Sequence, residues 1–204
     1  MAAARIRKWI IIIGIIVVAT CAMRIWWWEV FRVPTQSMAP TLSINDFLLV
    51  NKLAYGSPIS KTKRPPDRGD VIVFPHPQTH TLYVKRVIGL PNDEVMILGA
   101  NVWINGVLVE DVRIDGSKDP SQSNAKIEQR RLSNGTTYRT LTDEDSMIGW
   151  KMSGYWIVPN NQVFVMGDWR DHSSDSREWG SVPINGVVGK VVCSWGESSH
   201  GCQF

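Results

Sequence analysis

Twenty consecutive residues near the N-terminus, Trp9 to Trp28, carry a single charge, Arg24. As an α-helix they extend about 30 Å, the thickness of a bilayer's hydrocarbon core. Tryptophan at both ends suits the two membrane interfaces. Arg24 lies one turn from the far end, where its side chain can reach outward to water. Arg5, Arg7 and Lys8 precede the segment, and a basic flank stays on the cytoplasmic side. The expectation is a single-pass protein of the cell (inner) membrane. Residues 1–8 are a short cytoplasmic N-terminus and residues 9–28 an anchor in the lipid bilayer. The remainder is extracytoplasmic, or periplasmic. Two other readings exist. A cleavable leader would place small residues, Ala19 and Cys21 or Thr20 and Ala22, around a cut. A buried helix of a soluble domain would need no tryptophan at either end. Length and tryptophan placement favour a retained anchor.

Beyond Trp28 the pattern changes to short strands. Phe47–Val50, Val71–Phe74, Leu82–Leu90 and Val95–Leu98 are apolar runs bounded by turns. Val102–Val109 predicts a hairpin around Asn105-Gly106. YWIVP, VFVMG and GVVGKVV supply the last strands. β-Branched and aromatic residues dominate these runs, and no long helical period follows Trp28. The fold class is mainly β, with short antiparallel strands in residues 29–111 and 155–204. Residues 112–154 are polar and poor in apolar runs, which predicts an inserted β sub-domain.

The formal net charge of the 204 residues is +3, too small to suggest nucleic acid as a partner. Lys61, Lys63 and Arg64 sit among prolines and read as a solvated loop. Cys193 and Cys202 lie close together near the C-terminus; they pair in an oxidising compartment or remain two thiols. No Cys/His spacing suggests a metal, and no cofactor is expected.

PTQSMAPTL, Pro34 to Leu42, presents Ser37 a few residues past the anchor. A serine hydroxyl is a poor nucleophile until a base takes its proton. His76, His80, His172 and His200 all lie in polar loops, with no evident carboxylate to orient them. A Ser-His-Asp triad assembles from distant segments, so sequence leaves that possibility open. The other base is Lys85, inside the apolar run LYVKRVIGL. Alternation puts Lys85 on one strand face with Tyr83 and Val87, and Arg86 on the other. Burial of an ammonium lowers its pKa, and a fall of roughly three units makes the amine a working base at neutral pH. On the wet face of a half-exposed strand the same lysine would be an ordinary cation.

Four blocks then match one family in order. PTQSMAPTL, RGDVIVF (Arg68–Phe74), YVKRVIGLPNDEV (Tyr83–Val95) and MGDWRDHSSDSREWG (Met166–Gly180) resemble the conserved boxes of type I signal peptidases. These are membrane-bound serine endopeptidases that remove signal peptides from exported preproteins. The resemblance implies Ser37 as nucleophile and Lys85 as general base, a Ser-Lys dyad. It implies Ser173 as the residue that orients the lysine. The Ser37 amide and the Thr35 hydroxyl are implied as oxyanion donors. Asp168, Arg170, Asp175 and Arg177 become supports of the active-site loop, Asp175 and Arg177 foremost. Val33, Met38, Leu42, Tyr83 and Val84 become the apolar substrate pocket. That pocket accepts Ala-like residues one and three positions before the cut. Signal peptides and the bilayer are the implied partners; no metal, nucleotide or other cofactor is.

There are departures. Trp169 stands where the family often has Asn, and Asn45 and Asn92 stand where Gly is common. Asn tolerates positive φ better than most residues, so both turns survive. The chain shows one anchor where many relatives have two. Ser37 lies nine residues past Trp28, so it stays within about 30 Å of the anchor even on an extended chain. Rival readings are a non-catalytic, membrane-tethered binding or assembly subunit, and a specialised peptidase of one secretion or conjugation system. A self-cleaving repressor shares Ser-Lys chemistry but needs a DNA-binding module where this chain has its apolar segment.

Overall fold

The computed structural model describes residues 7–16, 20, 27–57, 62–99, 101–112, 125–143, 152–196 and 200–202. Strands dominate. In chain order they are β1 (Trp28–Arg32), β2 (Phe47–Asn51), β3 (Val71–Pro75), β4 (Leu82–Gly89), β5 (Glu94–Leu98), β6 (Asn101–Ile104) and β7 (Val107–Leu108). There follow β8 (Glu110–Val112), β9 (Ala125–Arg131), β10 (Thr137–Asp143), β11 (Gly154–Ile157) and β12 (Gln162–Met166). A short helix, Ser176–Trp179, precedes β13 (Val182–Pro183), β14 (Gly189–Trp195) and β15 (His200–Gly201).

The main sheet runs β1-β2-β14-β3-β4-β12-β13, with β15 beside β14. Its centre is covered on both faces. In β3, Ile72 and Phe74 pack with Tyr55, Val87 and Val165, while Val71 and Val73 pack with Met38, Leu42, Leu48 and Val50. That is why VIVF shows no alternation in sequence: neither face meets water. Lys85 lies opposite Ile72, and Arg86 opposite Val71. β4 is an interior strand of a doubly covered region, so the wet-face reading of Lys85 fails.

Two smaller sheets complete the fold. One has the order β11-β5-β6-β7 and the other β10-β9-β8. The run YWIVP therefore adds to β5 in the smaller sheet. The polar insertion contributes β9 and β10; residues 113–124 and 144–151 lie outside the described residues. The hairpin turn falls where expected, with φ of 52° at Asn105 and 76° at Gly106, the backbone of a two-residue turn that matches strand twist. Asn45 and Asn92 both have a φ of 69°, so asparagine does stand in for glycine at these two turns. Cys193 and Cys202 form a disulfide.

The expected limits of the apolar segment need one correction. Trp28 lies in β1 opposite Asn51, and the Trp27 carbonyl accepts the Lys52 N–H at 2.9 Å. A helical anchor reaching Trp28 is excluded, because the sheet has claimed that backbone. Residues 7–16 are helical, whereas 17–19 and 21–26 lie outside the described residues. Among the described residues no helix is long and apolar enough to cross a membrane.

Candidate active site

Ser37 sits in the turn between β1 and β2. The Ala39 N–H donates to the Gln36 carbonyl at 2.8 Å and the Leu42 N–H to the Met38 carbonyl at 2.9 Å. Met38 and Leu42, buried with Val33, Leu48 and Val50, fasten this turn to the main sheet. Ser37 is thereby brought against the middle of β4. Lys85 Nζ donates to Ser37 Oγ at 2.5 Å. Thr35 Oγ1 lies 3.2 Å from the same oxygen. Two residues from two sequence blocks thus converge on the Ser37 hydroxyl.

Lys85 is 3% exposed, with the Tyr83 ring 5.4 Å from Nζ. Burial pulls its pKa down from 10.5 to about 8. The negative charges of Asp175 and Asp168 resist that fall, and Arg177 adds to it. The amine is thus poised between its two protonation states close to neutral pH.

A cleft of about 260 Å³ opens on this pair. Val33, Met38, Tyr83 and Val84 line it, together with Phe31, Pro34, Val73 and Leu82. His172 and Ser174 reach it from the last loop. Its walls are largely apolar, with Arg32, Thr35, His172 and Ser174 as the polar groups besides the hydroxyl and the amine. No group of three or more His, Cys, Asp or Glu that could hold a metal occurs among the described residues.

The loop after β12 is organised around two buried carboxylates. Asp175 accepts from the Gly167 N–H at 2.9 Å, the Ser173 hydroxyl at 2.8 Å, and Arg177 Nε and Nη2 at 2.8 and 2.9 Å. Burial alone would raise the Asp175 carboxyl; Arg177, together with the hydrogen bonds from the Gly167 N–H and the Ser173 hydroxyl, holds the pKa below the usual range. Asp168 takes both Arg86 Nε at 2.9 Å and Nη2 at 2.7 Å, plus the Thr41 hydroxyl at 2.5 Å. Arg86 Nη1 donates in addition to the Gly69 carbonyl at 2.8 Å. The Trp169 N–H donates to the Ser37 carbonyl at 3.1 Å. Strand, turn and loop are therefore tied through buried charge and through the backbone of Ser37 itself.

The family model described as signal peptidase, peptidase S26, matches residues 6–195. The chain belongs to this family. Over 185 residues it is 36% identical to a signal peptidase I of Pseudomonas aeruginosa and, over the same length, 37% identical to one of Pseudomonas fluorescens. Each match covers 82% of this chain and 64% of the relative, so the chain spans just under two thirds of those proteins. A crystal structure of a signal peptidase I from Enterococcus faecalis is 26% identical and covers 62% of this chain and 96% of that one. Its TM-score is 0.39, too low for the likeness to carry weight.

Four residues that the signal peptidase resemblance bears on have these surroundings. The Ser173 hydroxyl donates its proton to Asp175 at 2.8 Å. A hydroxyl has one proton, and a carboxylate is a stronger acceptor than an amine. Leu42 does not line the cleft: it is fully buried beneath the turn. Trp169 is 5% exposed and packs against Ala125 and Leu141. Arg170 Nη2 donates to the Tyr138 hydroxyl at 2.9 Å, so this cation braces the inserted sheet.

Other contributors escaped the sequence. Arg86 and Thr41 were legible only as neighbours of Lys85 and Ser37. An arginine beside a lysine in an apolar strand does signal a second buried cation, but not its partner. Asp143, which binds the His172 ring at 2.9 Å, supplies the carboxylate that sequence did not find for any histidine. Gly167 is tightly enclosed beside the Ser37 turn. A Cβ there would lie 2.2 Å from Ser173 Oγ and 2.5 Å from the Ser37 carbonyl oxygen. Gly167→Ala is expected to lower kcat/KM by about 10- to 100-fold through displacement of the Ser37 turn, while thermal unfolding shifts by only a few degrees. Steady-state cleavage beside a melting curve checks this.

Proposed function

We propose that the chain is a membrane-tethered serine endopeptidase that removes N-terminal signal peptides from exported preproteins, with Ser37 as nucleophile and Lys85 as general base. One observation carries the reading: a buried amine 2.5 Å from a serine hydroxyl at the floor of an apolar cleft. With the lysine deprotonated, the contact reverses and the hydroxyl donates to the amine. Neutral Lys85 then takes the Ser37 proton as Oγ attacks the scissile carbonyl. The Ser37 amide and the Thr35 hydroxyl stabilise the oxyanion. Lys85 passes the proton to the leaving amine, and an acyl-enzyme forms at Ser37. Lys85 next activates a water that releases the acyl group. Ser173, whose proton goes to Asp175, keeps lone pairs that accept from Nζ and so orients the amine. Small walls at Val33, Met38, Tyr83 and Val84 favour cleavage after Ala-X-Ala. A subunit that only binds would have no use for an amine desolvated against a serine.

The tether is the apolar segment that ends before Trp28, inserted with its basic flank in the cytoplasm. Trp27, Trp28, Val30 and Phe47 at the first strands, and Trp195 on the neighbouring β14, are exposed, with Phe47 and Trp195 stacked at 5.9 Å. This apolar edge follows directly on the tether and supports a lipid surface as the second partner. Holding enzyme and preprotein in one membrane raises their effective concentration.

The test is cleavage of a preprotein by the purified chain in lipid or detergent, with the new N-terminus sequenced. A cut after a small residue at the end of the signal peptide supports the reading; an intact preprotein under all conditions overturns it. The pH profile adds a second check. Only the neutral amine takes the proton, so kcat/KM is expected to rise with pH through about 8 and to fall about tenfold per unit below that. A profile already flat at pH 6 would assign the base elsewhere.

A further inference from the structure

The mechanism makes no use of His172. His172 lines the same cleft as Ser37 and Lys85, and its ring is held on two sides. Nε2 lies 2.9 Å from Asp143 Oδ2, at the end of β10. The Trp169 ring packs on it with centroids 4.3 Å apart. Trp169 is itself fixed three ways. Its Nε1–H donates to Asp143 Oδ1 at 3.1 Å, its N–H donates to the Ser37 carbonyl at 3.1 Å, and it is buried against Leu141 and Ala125. The ring is thus placed with respect to Ser37 by a short, rigid chain of contacts.

That placement sets its chemistry. A carboxylate only accepts, so in the neutral ring the proton sits on Nε2. Nδ1 then carries a lone pair, and no hydrogen-bond partner for it occurs among the described residues. The rest of the cleft wall is largely apolar. A polypeptide lying in such a cleft must place its backbone N–H groups somewhere, and each one left unpaired is costly. We propose that His172, oriented by Asp143, accepts a hydrogen bond at Nδ1 from one backbone N–H of the preprotein segment bound in the cleft. This rests on the signal-peptidase reading and assigns the inserted sheet a part in substrate recognition. Asp143 is the positioning residue, and Trp169 packs on the ring at an interplanar angle of 59°.

The experiment is a scan of a cleavable signal-peptide substrate in which single amides near the cut are replaced by esters, one N–H at a time. The unmodified substrate is the control for the parent reading: if it is not cut, the peptidase assignment fails and this inference with it. If it is cut, the inference stands on coupling. One ester position is expected to cost the native chain about fivefold to tenfold in kcat/KM, mostly through KM. The same ester should cost His172→Phe less than about twofold, and Asp143→Asn an intermediate amount. His172 is half exposed, and His172→Asn gives a second variant with little threat to folding. An ester scan whose costs are equal in the native chain and in both His172 variants at every position would overturn the proposal.

Discussion

Ser37→Ala and Lys85→Met are each expected to lose at least about 10³-fold in kcat/KM on a preprotein, and the double variant little more than either alone. The non-additivity follows from geometry. The two groups share one proton across a 2.5 Å contact, so removing either removes the whole step. Methionine is the informative replacement at 85, since it fills nearly the same volume and keeps the cleft floor dry. Its folding behaviour offers an independent reading of the same burial. The folded-state pKa of about 8 lies below the free value of 10.5. Between those two pH values the unfolded chain holds a proton that the folded chain has released. Stability therefore rises with pH across that window, and below pH 8 the full cost of roughly 3 kcal/mol is present. Lys85→Met should be the more stable protein at pH 7 and should lack the rise. Denaturant unfolding at several pH values, beside cleavage assays, measures both. If Lys85→Met keeps native activity, the amine is not the base.

How far the fold was legible depended on which physics each segment obeys. The strand Val71–Phe74 was legible because a run of β-branched residues has few other places to go. Its burial on both faces was not, because that depends on Met38, Leu48 and Tyr55 arriving from elsewhere. The hairpin at Asn105-Gly106 and the turns at Asn45 and Asn92 were legible because φ is a local matter. Strand β11 went to the smaller sheet, although YWIVP resembles any other buried strand; pairing is decided by register with Glu94–Leu98, not by composition. At the site, Ser37 and Lys85 were legible as a pair only through the resemblance, since strand pattern alone left Lys85 open to water. Trp169 and His172 looked like two unrelated features of one loop. In space they clasp Asp143 from the inserted sheet, a residue that no local pattern connects to them. Buried charge was the least legible of all. Arg86 and Asp168 are far apart in the chain, and an ion pair leaves no periodicity behind.

That pair yields the second large effect. Asp168→Ala is expected to destabilise the protein by about 3–5 kcal/mol. Arg86 is 2% exposed and Asp168 1% exposed, so neither charge has water to fall back on. Burial works against the guanidinium charge; Asp168 foremost, with Tyr138 and Asp70, more than offsets it. With the carboxylate gone, Arg86 keeps only its bond to the Gly69 carbonyl, a contact to Thr41 at 3.3 Å, and the face of Tyr138 at 4.6 Å. An arginine cannot shed its proton to escape. The reverse substitution is not symmetrical. In Arg86→Met the carboxylate retains the Thr41 hydroxyl, and methionine fills the space without a charge. Arg86→Met should therefore cost less than Asp168→Ala, and joining it to Asp168→Leu should recover part of the loss, as apolar replacements of buried pairs do. In thermal terms Asp168→Ala should lower Tm by roughly 10 °C, with cleavage falling alongside because Asp168 also anchors Thr41 beside the Ser37 turn. A double-mutant cycle on Tm and denaturant midpoint measures the coupling. A coupling near zero would mean that Arg86 finds enough other partners, and that the pair organises the loop without stabilising it.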